Sequence, residues 1–506
     1  MEPVWYKSYP KGMPHEIDPD AYSSILSLFD RSIQMFADRP AFMSTGKTIT
    51  YQQLDQQSTQ FAAYLQVKCG VQKGDRIAIM MPNLLQYPIA LFGAFKAGCT
   101  VVNVNPLYKP RELEHQLIDS GAETIVILEN FGHVLQEVID KTSVRNVVVA
   151  HIGDCLGTLK GALVNTVVRY VKKMVPAYHL EDAVRWNDAV KHGASVELTR
   201  AELTGEDIAF LQYTGGTTGV SKGVVLTHRN MLANLQQAHA WVDLQEGVEL
   251  VITALPLYHI FSLTANCLVF MYLGGCNLLI LNPRDIPAFV KTLSQVPFTS
   301  ITGVNTLFKA LMNHPKFDAI DFSRLKLTLG GGMAVQKAVA DQWKSVTGCP
   351  LLEAYGLTEA SPAVTVNPLH LKDYNGSIGL PLPSTHIQIR DEDGKECELG
   401  QVGELCVKGP QVMSGYWNRP DETEIVLDKD GWLMTGDMAQ VDDDGYVYIV
   451  SRKKDMILVS GFNVYPNEIE DVLVKHEGIL EVAAIGVEDE QSGERVKCCV
   501  VKHDES

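Results

Sequence analysis

No two cysteines stand three residues apart anywhere in this 506-residue chain. The thiols are scattered from Cys69 to Cys406, with Cys498 and Cys499 adjacent. A zinc or dithiol redox site normally shows a Cys-x-x-Cys pair, so the expectation is reduced, buried cysteines in a cytoplasmic protein. Positive charge is also scarce. Lys and Arg number 43 against 60 Asp and Glu, a formal charge of −17, which repels a phosphate backbone and excludes nucleic acid as the main partner. The first residues carry Lys7 and Lys11 but no apolar core, so no secretory signal is expected. No low-complexity tract suggests disorder.

Charge is missing altogether from residues 255–281, a stretch long enough to suggest a membrane span. His259, Asn266, Asn277 and the pair Gly274-Gly275 interrupt it. The pattern instead predicts a buried helix over 262–273, a turn, and a buried strand over 276–281.

What is present is strand–helix alternation. "RIAIMM", "TVVNV", "TIVIL" and "NVVVAHI", then "ELVITALP", "CNLLIL", "TSITGV" and "LKLTLGGG", are apolar runs separated by helical patterns. Near-continuous apolar strands mean parallel sheets covered on both faces. There are more units than one open sheet holds, so the fold class is α/β with two packed subdomains over residues 1–375. Beyond Gly376, "HIQIRD", "GELCVKG" and "GYVYIVS" follow one another with turns and no helix. They predict an antiparallel, barrel-like β subdomain over 376–451. After the charged "SRKKD", residues 452–506 read as a partial, small α+β lobe containing the amphipathic helix "NEIEDVLVKH".

The densest chemical signal is "YTGGTTGVSKGVVLTH", Tyr213 to His228. Glycines let backbone N–H groups approach a ligand, hydroxyls add donors, and Lys222 adds positive charge, which together make a polyphosphate cradle. It is not the loop of nucleotide hydrolases. Ser221 precedes the lysine, Gly223 follows it, and the next run is a strand. The segment reads as the tip of a hairpin.

This tip resembles the phosphate loop of the acyl-adenylate-forming (AMP-binding) superfamily. Further motifs follow in that family's order: "LPLYHIF" (255–261), "LGGGM" (329–333), "EAYGLTE" (353–359), "GWLMTGD" (431–437) and "SRKKDMILVSGFNVYPNEIE" (451–470). The resemblance spans essentially the whole chain and is strongest to bacterial long-chain fatty-acid:CoA ligases. It implies that a carboxylate attacks the α-phosphate of ATP, after which coenzyme A takes the acyl group. It further implies an ATP site of Tyr213, Thr214, Gly215, Gly216, Thr217, Thr218, Gly219, Lys222, Gly330, Gly331, Tyr355, Gly356, Thr358, Asp437 and Arg452. Glu359 and Thr217 would hold Mg2+, Asp437 would accept the ribose hydroxyls, and Thr358 would contact the α-phosphate. Thr217, Lys222, His259, Thr358, Glu359 and Arg452 would form the catalytic set, His259 as a gate to the acyl site and not as a base. His259, Gly303, Val304 and Gly332 would meet the acid. Lys454 would be the hinge of the last lobe, and Gly461 would lie in a loop that enters for thioester formation.

The acyl motifs carry no acidic side chain. A buried substrate ammonium would be left unpaired there, which argues against an amino-acid-activating module and for a fatty acid. A luciferase-like oxygenation shares the first half-reaction and is not separated by motif. Residues 159–176, "LKGALVNTVVRYVKKMVP", place Leu163, Val167, Val171 and Met174 on one side and Lys160, Arg169, Lys172 and Lys173 elsewhere. That pattern suits peripheral contact with the inner face of a membrane or an ordinary docked helix, and homodimerisation is left open. Family members have a longer C-terminal lobe with an adenylation lysine near its end. Lys497 and Lys502 do not match that context, so the expectation is a truncated chain that binds ATP and fatty acid but adenylates weakly. The alternative is a non-catalytic nucleotide- or acyl-binding homologue.

Overall fold

The apolar runs assemble into two large, mainly parallel sheets. The computed structural model describes residues 3–215, 220–459, 462–473, 476, 478–489 and 493–502. The first sheet has eight strands, its centre running Ile208–Thr214, Thr100–Asn103, Arg76–Met80, Thr124–Leu128 and Asn146–Ala150, all parallel. Every residue of Thr124–Leu128 is buried, as expected of a strand covered on both faces. The second sheet has nine strands. Leu351–Gly356, Leu327–Gly330, Ser300–Gly303, Leu250–Thr253, Cys276–Leu279 and Pro40–Ser44 are parallel neighbours in that order.

Chain order and sheet membership diverge at three places. Pro40–Ser44 and Lys47–Thr50, ahead of every strand of the first sheet, form an edge of the second. Leu380–Pro381 closes the opposite edge of the second sheet, and Gly415–Tyr416 returns to the first beside Lys222–Thr227. The hydrogen bonding therefore crosses the expected boundary at 376. Within 376–451 an antiparallel sheet does form, from His386–Arg390, Gly403–Lys408 and Leu433–Val441 with Val447–Arg452. After Arg452, the helix Pro466–Leu473 packs beside a small sheet containing Ile479–Asp489 and Gly493–Lys502.

The uncharged stretch is protein core. Ile260–Ser262, Leu263–Leu268 and Val269–Tyr272 form one continuous helical run with a π turn in its middle, followed by the strand Cys276–Leu279. Among the described residues no helix is long and apolar enough to cross a membrane. The run packs against the helix His228–Trp241, and Leu263, Leu268, Leu232 and Leu235 belong to the core shared by both sheets. Thr227 starts that helix. Its hydroxyl accepts the Asn230 N–H at 3.2 Å, and the Asn230 side chain accepts the Thr227 N–H at 3.0 Å, a capping box that ends the hairpin strand where the helix begins.

Candidate active site

Strands Ile208–Thr214 and Lys222–Thr227 pair antiparallel with Thr214 opposite Lys222, so the glycine–threonine segment connects the two strands of a hairpin. Thr214, Gly215 and Lys222 open onto a cavity of about 1070 Å3. Gly216, Thr217, Thr218 and Gly219 lie outside the described residues, as does Gly461. Tyr213 faces the other way. Its hydroxyl donates to Asp119 at 2.7 Å, and the same carboxylate accepts from Arg419 at 2.9 Å. Tyr213 therefore braces the hairpin from behind and is not among the cavity's lining residues.

The cavity sits at the C-terminal ends of Leu327–Gly330 and Leu351–Gly356, where open α/β sheets present ligands. Gly331, Tyr355, Gly356 and Thr358 line it from this side, and Glu359, Asp437, Arg452 and Lys454 join them. Gly330 lies just beneath, where a Cβ would meet Val335 at 2.7 Å. Gly356 is required by close approach, since a Cβ there would stand 2.1 Å from the Pro362 carbonyl oxygen. Asp437 accepts the Tyr355 hydroxyl at 2.6 Å through Oδ2, and Arg452 Nε lies 3.6 Å from Oδ1. Burial pushes the Asp437 carboxyl up, while the Tyr355 bond and the Arg452 charge hold it down.

Glu359 is held at both ends. Its carbonyl accepts the Met413 N–H at 2.8 Å, and Oε1 accepts the Tyr416 hydroxyl at 2.8 Å. Among the described residues no group of three His, Cys, Asp or Glu side chains could hold a metal by itself. The Glu359 carboxylate lines the cavity and is the hard oxygen donor that Mg2+ would take.

His259 is open to the cavity, and Nδ1 accepts the Phe261 N–H at 3.3 Å. Desolvation by the surrounding protein pushes its pKa down, which favours the neutral ring, Nδ1 accepting and the proton then on Nε2. Glu353, 6% exposed, accepts the Val335 N–H at 2.8 Å. Burial pushes its carboxyl up to about 7, the Val335 bond opposing. An acid with a raised folded pKa favours the fold while protonated, so its contribution is full below the unfolded value and is lost as pH rises through 7. Between pH 4.5 and 8, wild-type stability is expected to fall relative to Glu353→Gln by about 3 kcal/mol. Urea unfolding of both proteins across that range checks it, and parallel curves refute it.

From His259 the cavity continues into an apolar arm. Phe261, Ala265, Val269 and Phe270 line one side, with Ala238 and Trp241 of the helix His228–Trp241 on the other. The helical run from His259 to Val269 is about 15 Å long at 1.5 Å per residue, the reach of a long alkyl chain. Gly332 also lines the cavity. Of the segment 302–306, Thr302 faces the cavity, while Gly303 and Val304 are not among its lining residues. Val304 Cγ1 instead backs Gly332, 3.9 Å from where a Cβ would be. The arm's far wall was missed in the sequence motifs, although Asn234, Ala238 and Trp241 recur at i, i+4 and i+7, one helix face.

A family model for AMP-binding enzymes matches residues 29–417, and one for the AMP-binding enzyme C-terminal domain matches 468–506. A long-chain-fatty-acid–CoA ligase of Yersinia pestis is 60% identical over 100% of this chain and 90% of its own length. One from Escherichia coli O157:H7 is 58% identical with the same coverage. In fold, the chain resembles an anthranilate CoA ligase solved in complex with anthranoyl-AMP, with a TM-score of 0.83 and 24% identity, covering 95% of this chain and 87% of that one.

Proposed function

The chain belongs to the AMP-binding enzyme family, and from that membership we infer that it activates a long-chain fatty acid with ATP and passes the acyl group to coenzyme A. A carboxylate oxygen of the acid attacks the α-phosphorus, and the bond to pyrophosphate breaks. The coenzyme A sulfur then attacks the acyl carbon, and AMP leaves. The observation carrying this reading is one cavity that joins Thr214, Lys222, Thr358, Asp437 and Arg452 to the uncharged arm beyond His259.

The residues divide the work by charge. Two anions must meet, so most of the catalysis is positioning and neutralisation. Lys222 and Arg452 supply cations toward the phosphates, and the Thr358 hydroxyl donates near the α-phosphate. Asp437 accepts from the ribose. Mg2+ held by Glu359 would neutralise phosphate charge. Neutral His259 separates the polar chamber from the arm without placing a charge on the alkyl path. Incubation with acids of rising length, scoring pyrophosphate release and thioester formation separately, tests the reading. Release that does not depend on a fatty acid would overturn it.

Peripheral membrane contact belongs to the same proposal, since the substrate partitions into lipid. The helix Thr158–Thr166 and the π turn Val167–Val171 are pinned by Arg169, which donates to buried Glu129 at 2.5 Å. Gly161 packs on the Gly153 carbonyl, which a Cβ would approach to 2.4 Å. Arg169 is thus an anchor, and Val168, not Val167, is the buried apolar residue. Leu163 and Val171 stand 65% and 71% exposed beside exposed Lys172 and Lys173. The protein is expected to float with vesicles containing anionic phosphatidylglycerol, and Leu163→Glu with Val171→Glu to weaken this at least about tenfold. Equal flotation of the variant, or none by the wild type, refutes the contact.

A further inference from the structure

Lys222 has partners of its own within the cleft. Its ammonium forms an ion pair with Glu422 and lies 4.8 Å from the centre of the Tyr416 ring. Both partners come from one short segment laid along the hairpin. Gly415–Tyr416 pairs antiparallel with Lys222–Thr227, Tyr416 opposite Val224, and the Trp417 N–H donates to the Gly223 carbonyl at 2.7 Å. The helix Pro420–Val426 follows and carries Glu422. Arg419 and the Trp417 indole fix the segment to Asp119 at 2.9 and 3.1 Å. Neither Tyr416 nor Glu422 is a member of the motifs that carry the resemblance.

An anion therefore sits where the ligand's anion must bring its charge. The pair is partly open to water, with side chains 24% and 32% exposed, and such pairs are weak enough for a charge-dense ligand to displace. Glu422 is not stranded when the lysine leaves, because Arg419 Nε stands 4.0 Å from its Oε1. Tyr416 stays in place through the exchange. Its hydroxyl donates to Glu359 at 2.8 Å.

We propose that Glu422 is a displaceable counter-ion for Lys222: it holds the ammonium beside the phosphate hairpin before the nucleotide enters, yields it to the triphosphate and takes it back as pyrophosphate leaves. The proposal rests on Lys222 being a polyphosphate ligand, as the proposed function has it. Since the same contact is broken by substrate and by product, Glu422 weakens the binding of both in similar measure and so favours release of pyrophosphate.

Calorimetric titration of the full chain with MgATP and, separately, with inorganic pyrophosphate tests it. Glu422→Gln, with Glu422→Ala as a second variant, is expected to tighten both ligands by about threefold to fivefold. Lys222→Gln weakens both, and adding Glu422→Gln to it changes nothing further. Unchanged or weaker binding by the Glu422 variants overturns the counter-ion role, as does an equal gain in the Lys222→Gln background. Wild-type protein that binds no MgATP overturns the ATP-site assignment itself, a result distinct from wild-type binding that the Glu422 changes leave alone.

Discussion

Glu359→Gln is expected to cut fatty-acid-dependent exchange of pyrophosphate into ATP by about 10²–10³-fold, the range for losing one preorganised group that stabilises transition-state charge. The substitution keeps size and shape, and the turn is held by backbone contacts that a glutamine does not disturb. The Leu357 N–H donates to the Pro362 carbonyl at 3.0 Å, and the Met413 N–H to that of residue 359 at 2.8 Å. Glutamine can also still accept from Tyr416. What is lost is one negative charge. A carboxylate facing a triphosphate is repulsive unless a cation lies between them, so the sign of the effect depends on Mg2+. With Mg2+, the variant should bind ATP more weakly and need more metal for half-maximal exchange. Without Mg2+, it should bind ATP more tightly than wild type. ATP titrations with and without Mg2+ separate the two. Weaker binding in both conditions would mean that Glu359 supports the turn and holds no cation.

The hairpin tip was legible because backbone chemistry leaves a dense local mark: glycines, hydroxyls and one lysine in a single stretch, with strand patterns on either side. Parallel strands were legible for a similar reason, since burial on both faces removes polar residues from a run such as "TIVIL". Long-range assembly left no such mark. Nothing local tells Pro40–Ser44 to cross to the second sheet, or Gly415–Tyr416 to return to the first, because strand partners are chosen by tertiary packing. Tyr416 and Glu422 were missed on that account, being brought to Lys222 by the pairing of Gly415–Tyr416. Tyr213 shows the opposite error. Alternation along a strand sends successive side chains to opposite faces, so Tyr213 points to Asp119 while Thr214 lines the cavity. Membership in a motif does not determine which face a residue uses.

That periodicity argument also supplies the last expected result, at the far end of the apolar arm. Ala238 lies one turn before Trp241 on the same face, and both line the cavity, as do Val269 and Phe270. Trp241 is fixed. It is 2% exposed, its indole N–H donates to the Asn367 carbonyl at 3.2 Å, and its ring meets Tyr9 with centres 5.2 Å apart. Removing so embedded a ring would damage the core, whereas Ala238 borders open volume. Ala238→Phe should fill the passage before its end. Each buried methylene contributes about 0.8 kcal/mol, so excluding four removes about 3 kcal/mol, or more than a hundredfold in kcat/KM for the longest acids. Acids short enough to stop before residue 238 should keep their rates, and MgATP binding should be unchanged, which shows that the variant is folded. A length profile that drops evenly for every acid would place the alkyl chain elsewhere. A profile that breaks at one length identifies the helix His228–Trp241 as the wall against which the substrate is measured.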